Sequence, residues 1–265
     1  MTTSITELKQ EINRLAEEAW VALGMPFDFP EIEEKDEGII DVEALIIATL
    51  LVMRKDRLVT DLPAWINRFS NLINFQKLKT IFRGLSKDYK RLILTSLENV
   101  HFHDTPKMFR NVFDLRALTV EPVDESVRLR ISKINTVENV AQMSLMIKNR
   151  LLYGTGFRAD IITLTHIENI SMKGVDLAAL LCVNNSTISR ILSDLKACGF
   201  IDRDKERIES FESYPGMFIS VLSVRNLCEM MDSTKFSSED LRRGVLENIS
   251  FKNDAFSSIV LNRVL

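Results

Sequence analysis

Residues 177–192 read LAALLCVNNSTISRIL, and this stretch decides the fold. Its apolar positions predict two short helices, 177–182 and 185–198, which must pack two seams together across a tight turn. Ala178 is small where the helices cross closely, and Val183 fills the turn. Asn184 is placed to cap the second helix by accepting from the amide near Thr187. Ile188, Leu192 and Leu195 make an inward stripe at steps of four and three. The opposite face carries Asn185, Ser186, Ser189, Arg190, Ser193 and Lys196, which are short polar groups and two cations. A helix of this kind fits the major groove of duplex DNA, with its first turn reaching base edges.

Working outward, 158–167 predicts a preceding helix, and Gly199 closes the second one. Phe200-Ile-Asp-Arg203 and Arg207-Ile-Glu209, joined by Asp204-Lys205-Glu206, predict a short hairpin. The nine residues Cys182-Val-Asn-Asn-Ser-Thr-Ile-Ser-Arg190 resemble the second half of the bacterial repressor helix-turn-helix, commonly G-V-S-x-x-T-V-S-R. Cys182 stands where that pattern has glycine. With its flanking helix and hairpin, the unit resembles the winged helix-turn-helix domain of prokaryotic transcription regulators over about 60 residues. The resemblance implies that Asn185, Ser186 and Arg190 face bases, while Thr187 and Ser189 face phosphates. It places Lys205 and Arg207 on the wing, beside the minor groove or backbone. It also implies double-stranded DNA as partner and a homodimer reading two half-sites, since single recognition helices bind weakly.

Winged helices also serve as protein-interaction modules, so fold alone does not assign DNA. Residues 148–209 hold nine basic and eight acidic side chains, a small excess for neutralising phosphates. The alternative reading is therefore a non-catalytic antitoxin-like or adaptor module holding a protein partner.

Other signals are weaker. Gly154-Thr-Gly156-Phe-Arg-Ala159 matches the G-x-G-x-x-A dinucleotide fingerprint, but that motif works between a strand and a helix, and the preceding SLMIKNRLLY predicts helix. A glycine hinge accounts for it better. His101 and His103 alternate as metal ligands on a strand would, yet the chain has three His in all, and a polar helix exit before Pro106 is the preferred reading. No nucleophile–base–orienter set is present, so an enzyme, a cofactor and a metal are not expected. Cys182, Cys198 and Cys228 are odd in number and widely spaced, as expected of reduced core thiols.

The N-terminal half is a succession of helical patterns. Ser4-Ile-Thr-Glu7 is a capping box before a helix that Gly24 closes. Asp41 caps a second, 42–55, apolar nearly all round and so buried on most sides. Pro63 is expected early in a third, followed by helices at 75–82 and 87–100. Residues 118–131 predict a hairpin, 136–153 one helix, 218–231 another, and a last helix opens at Ser237. The expected fold class is mainly α: a helical N-terminal domain (1–146), a winged helix-turn-helix domain with a small β-hairpin wing (147–212), and C-terminal helices (213–265).

Across 265 residues, 34 Lys+Arg and 37 Asp+Glu leave a net charge of −3, which excludes a protein that coats nucleic acid through bulk basicity. The small total hides segregation. Residues 1–50 hold three basic and twelve acidic groups, and 51–91 hold ten basic and three acidic. That predicts either N-terminal intramolecular pairing or an exposed basic surface. In 54–91 the cations interleave with Trp65, Phe69, Phe75, Phe82 and Tyr89. This pattern fits a second nucleic-acid contact or a dock for the acidic N-terminal segment. Amphipathic helices with aromatics inward and lysines solvated explain the spacing better. The longest apolar run, 44–53, is about half a membrane span. With no basic n-region and no apolar h-region at the N-terminus, a cytoplasmic protein without membrane contact is expected.

Overall fold

The computed structural model describes residues 5–26, 39–52, 57–98, 105–115, 132–165, 173–200, 218–219 and 221–232. Among them are twelve α-helices and one pair of two-residue strands. The mainly α fold class follows directly from the 3.6-residue periodicity that dominates the sequence. The expected hairpin at 118–131, the one at 200–209 apart from Phe200, and the helix from Ser237 lie outside the described residues.

The central element is α2 (Val42–Val52). Asp41 caps it, its Oδ1 accepting from the Ala44 amide at 3.1 Å. Every residue from Val42 to Leu51 is buried, because helices pack on this helix from all sides. They are α1 (Ile5–Ala22), α4 (Phe75–Gly84), α5 (Lys87–Leu97) and α12 (Val221–Asp232). The expectation of a buried helix holds, and among the described residues no helix is long and apolar enough to cross a membrane.

Two indoles pin α1 into this core. The Trp20 and Trp65 rings meet edge to face at 5.1 Å. Buried indole N–H groups need acceptors. Trp20 Nε1 donates to Thr49 Oγ1 at 2.8 Å, and Trp65 Nε1 to the Leu23 carbonyl at 2.6 Å. Just beyond α1, Gly24 takes φ +84°, the left-handed geometry that ends a helix. A β-carbon there would lie 2.8 Å from both Asn135 Cβ and Val140 Cγ2, so the chain needs glycine at this crossing.

Three expectations change in detail. Pro63 lies well inside α3 (Arg57–Arg68), because the helix opens six residues earlier, and it removes one ladder donor there. The helix expected over 136–153 is two helices, α7 (Val137–Met143) and α8 (Leu145–Tyr153). They part at buried Ser144, whose backbone is extended and whose hydroxyl caps α8 by accepting from the Ile147 amide at 3.5 Å. The 218–231 stretch opens as strand β2 (Phe218–Ile219), parallel to β1 (Ile39–Ile40), before α12 begins. The buried backbone of Ile39-Ile40 finds its partners in this pair, and the Asp41 amide adds a bond to the Ile219 carbonyl at 2.9 Å.

Two apolar clusters result. The larger gathers side chains of α1 to α6 (Lys107–Val112), Val140 of α7, Ile147 of α8, and Val224 and Leu227 of α12. The smaller gathers Ile39, Leu145 and Met146 with α9 (Phe157–Leu164), α10 (Gly174–Leu181) and α11 (Asn185–Ala197). α8 therefore serves both clusters.

Candidate nucleic-acid interface

α9, α10 and α11 pack on one another around Ile161, Leu177, Leu181, Ile188, Ile191 and Leu195. Ala178 of α10 is buried in the same cluster. Cys182 takes φ +54°, ψ +47°, the left-handed conformation usually left to glycine. The Val183 amide then donates to the Ala178 carbonyl at 3.0 Å and the Cys182 amide to Ala179 at 3.4 Å, which is a Schellman end to α10. A cysteine thus makes the turn in which the resembling pattern has glycine.

Asn184 caps α11 as its position implies, with Oδ1 accepting from the Thr187 amide at 2.8 Å. The same oxygen accepts from Ser186 Oγ at 2.8 Å, so this hydroxyl is held against the turn. The inward stripe is Ile188, Ile191 and Leu195, with Leu192 only half-buried at its edge. Asn185, Ser186, Ser189, Arg190, Ser193 and Lys196 are all exposed, and Thr187 is half-buried. Seven of the nine anticipated contact residues thus sit on one short helix. Lys205 and Arg207 lie outside the described residues, as do His101 and His103. On the same helix, Asp194 pairs with Arg158 of α9 at 2.7 Å, both about half exposed.

Gly154-Thr155-Gly156 joins α8 to α9, helix to helix, and not strand to helix as a dinucleotide site requires. A β-carbon at either glycine would meet nothing within 4 Å, so the backbone forms no close cradle. Thr155 Oγ1 donates to the Asn71 carbonyl, and the hinge is tied to the N-terminal helices. Cys198 is exposed at the end of α11, which corrects its reading as a core thiol. The last turn of the helix carries it past the apolar stripe.

Sequence reasoning missed an ion cluster at the foot of this unit. Asp41, Glu43, Lys77, Arg150 and Asp160 are all buried. Arg150 grips Glu43 through two bonds, Nη1–Oε1 2.8 Å and Nη2–Oε2 2.7 Å, and Asp160 through Nε–Oδ1 2.9 Å and Nη2–Oδ2 3.0 Å. Its Nη1 also donates to the Leu72 carbonyl at 2.8 Å. Lys77 Nζ lies 2.6 Å from Asp41 and 2.8 Å from Asp160. Five charges, Asp41 at the cap of α2 and the others on α2, α4, α8 and α9, thus bind α9 to the larger core.

Burial opposes every charge here, and the partners decide which side wins. For Asp160, burial works upward, but Arg150 and Lys77 hold the carboxyl down at about 2. For Glu43 the same contest also ends below the ordinary value, with Arg150 the main partner. Lys77 and Arg150 are raised, since the carboxylates around them outweigh desolvation. Asp41 goes the other way. Burial pushes it up to about 6, Lys77 offsets this only in part, and Glu43 and Asp160 add to it. Three carboxylates face two cations, and Asp41 is the one that takes up a proton most readily. The available sequence signal was Asp160 within RADIITL and Arg150 within LMIKNRLLY, charges set among core residues. A charge so placed needs a buried partner, but its neighbours in sequence do not say which.

No family model, curated protein or solved structure matches the chain.

Proposed function

We propose that this chain is a non-catalytic, sequence-specific DNA-binding transcription regulator that reads duplex DNA with α11. The observation that carries the reading is the row Asn185, Ser186, Ser189, Arg190, Ser193 and Lys196, exposed along a capped helix with its own apolar backing. Asn and Arg make paired hydrogen bonds to adenine and guanine edges, and Ser, Thr and Lys suit phosphates. In this reading Asn185, Ser186 and Arg190 face bases in the major groove, while Thr187, Ser189, Ser193 and Lys196 set register. Lys205 and Arg207 contribute wing contacts. A homodimer presents two such helices to two half-sites.

Selection of bound sequences from random duplex DNA tests this, with Arg190→Ala as control. A consensus site is expected, and Arg190→Ala should weaken binding to it by about 1–3 kcal/mol with little effect on random duplex. Equal discrimination by both proteins removes the base-reading role.

A second reading, a protein-holding adaptor, is favoured by exposed apolar groups beside the unit. Leu152 is 69% exposed and Val175 66%, and the exposed Tyr153 and Phe200 rings meet at 6.1 Å. Titration with salt separates the two readings. Duplex binding that strengthens steeply as salt falls supports the regulator, and no retention of duplex even at low salt supports the adaptor.

A further inference from the structure

Among the described residues, cations of the basic stretch 54–91 meet two different fates. Lys77 is consumed by the buried ion cluster, which realises part of the pairing between the acidic N-terminal residues and this segment. Arg83, Lys87 and Arg91 are exposed, and Lys79 and Lys90 are half-buried. Helical spacing puts Lys79 and Arg83 on one row of α4, and Lys87, Lys90 and Arg91 on adjoining rows of α5. The turn between the helices brings the rows together, since Lys90 Nζ donates to the Arg83 carbonyl at 2.8 Å. The acid within 79–91 is Asp88, whose 3.7 Å pairing with Arg91 is between side chains more than 80% exposed. Such a pair is solvated and weak. Five cations against one acid therefore gather at one corner.

The interleaved aromatics are turned the other way. Trp65, Phe69, Phe75, Phe82 and Tyr89 are all buried, so α4 and α5 present charge here without their own rings. Surfaces for unpaired strands stack bases on exposed aromatics, whereas a duplex backbone asks only for cations. The reading helix is poor in cations for the same task, with Arg190 and Lys196 on its face and Asp194 beside them. We propose that the α4–α5 corner is a second duplex-contact surface, binding the phosphate backbone without reading sequence. The proposal rests on α11 being the base-reading element, and it supplies the neutralising charge that α11 lacks.

The test is a variant carrying Arg83→Gln, Lys87→Gln, Lys90→Gln and Arg91→Gln, compared with Lys133→Gln, which removes an exposed cation outside α4 and α5. Affinity for the selected duplex and for random duplex is measured against salt, with thermal unfolding as the check on folding. The fourfold variant should lower the slope of log affinity against log salt by about 3 to 4, at roughly 0.9 per phosphate contact. Both duplexes should lose affinity by the same factor, and the control variant should keep the parent slope. An unchanged slope, a loss confined to the selected site, an equal change in the control, or tighter binding of single strands than duplex overturns the proposal. Failure of the α11 reading shows separately, as an Arg190→Ala protein that still prefers the selected site. No retention of duplex by the unaltered protein at low salt removes both.

Discussion

Arg150 and Glu43 stand 107 residues apart in the chain and form a fully buried two-bond pair, with N–O distances of 2.8 and 2.7 Å. Glu43 opens the central helix of the larger core, and Arg150 lies on the helix shared by both clusters. Through Asp160 the same guanidinium holds α9. The seam between the two apolar clusters is thus bridged by buried ions.

Breaking that seam should be costly. Arg150→Ala leaves Glu43 and Asp160 buried with too little positive charge, and a loss of about 3–5 kcal/mol is expected. Adding Glu43→Gln to Arg150→Ala should restore part of it, because one uncompensated charge is removed. Denaturant midpoints of the single and double variants check this. A loss below about 1 kcal/mol for Arg150→Ala contradicts a buried, coupled pair.

Asp41 gives the cluster a pH signature. Its carboxyl is raised from 3.8 to about 6 on folding, so between these values the folded state binds more protons than the unfolded one. Its contribution to stability is then fully present below 3.8 and is lost as pH rises through 6. Asp160, lowered to about 2, acts oppositely, stabilising above 3.8 and losing that effect as pH falls toward 2. Stability measured for the parent minus Asp41→Asn should fall from pH 4 to 6 and level off by pH 7. A difference that is flat or rising over that range would show that Asp41 is not the proton acceptor.

The turn between α10 and α11 offers a backbone test. Cys182 holds a left-handed conformation, which disfavours any residue with a β-carbon and β-branched ones most. Cys182→Gly should be close to neutral, trading relief of strain against lost side-chain packing, and Cys182→Val should destabilise by more than about 1 kcal/mol. Asn184→Ala removes the cap and should cost about 1 kcal/mol. Thermal unfolding reads all three, and a Cys182→Val protein as stable as Cys182→Gly contradicts the turn geometry.

Gly24→Ala carries the heaviest steric penalty of any glycine substitution among the described residues. Its methyl would enter Asn135 and Val140 at 2.8 Å, and its φ of +84° adds strain. A loss of more than about 2 kcal/mol is expected, since neighbours at a packed crossing yield only with strain. Urea unfolding measures it, and a variant within about 0.5 kcal/mol of the parent rules out this close approach.

Local order was legible in the residues themselves. The capped helix at Asn184, the buried helix after Asp41, the end of α1 at Gly24 and the polar face of α11 all follow from patterns spanning one to four turns. Such patterns act between neighbours in the chain, so short-range hydrogen bonding and apolar spacing determine them. The break at Ser144 and the position of Pro63 were not legible. Periodicity runs through both, and only packing shows where the backbone departs from a single helix. The row of candidate contact residues on α11 was complete in the sequence.

What the tertiary structure alone decided is how charge is spent. Composition showed acids early and bases next, and left open whether they pair or face solvent. Folding does both. It withdraws Lys77 into a buried cluster with Asp41, Glu43, Arg150 and Asp160, and leaves Arg83, Lys87 and Arg91 in water. The same side-chain types, a few residues apart, meet opposite fates because desolvation depends on what distant helices bring to each position. Sequence spacing sets which face of a helix a charge occupies, and only the assembled fold sets what that face meets.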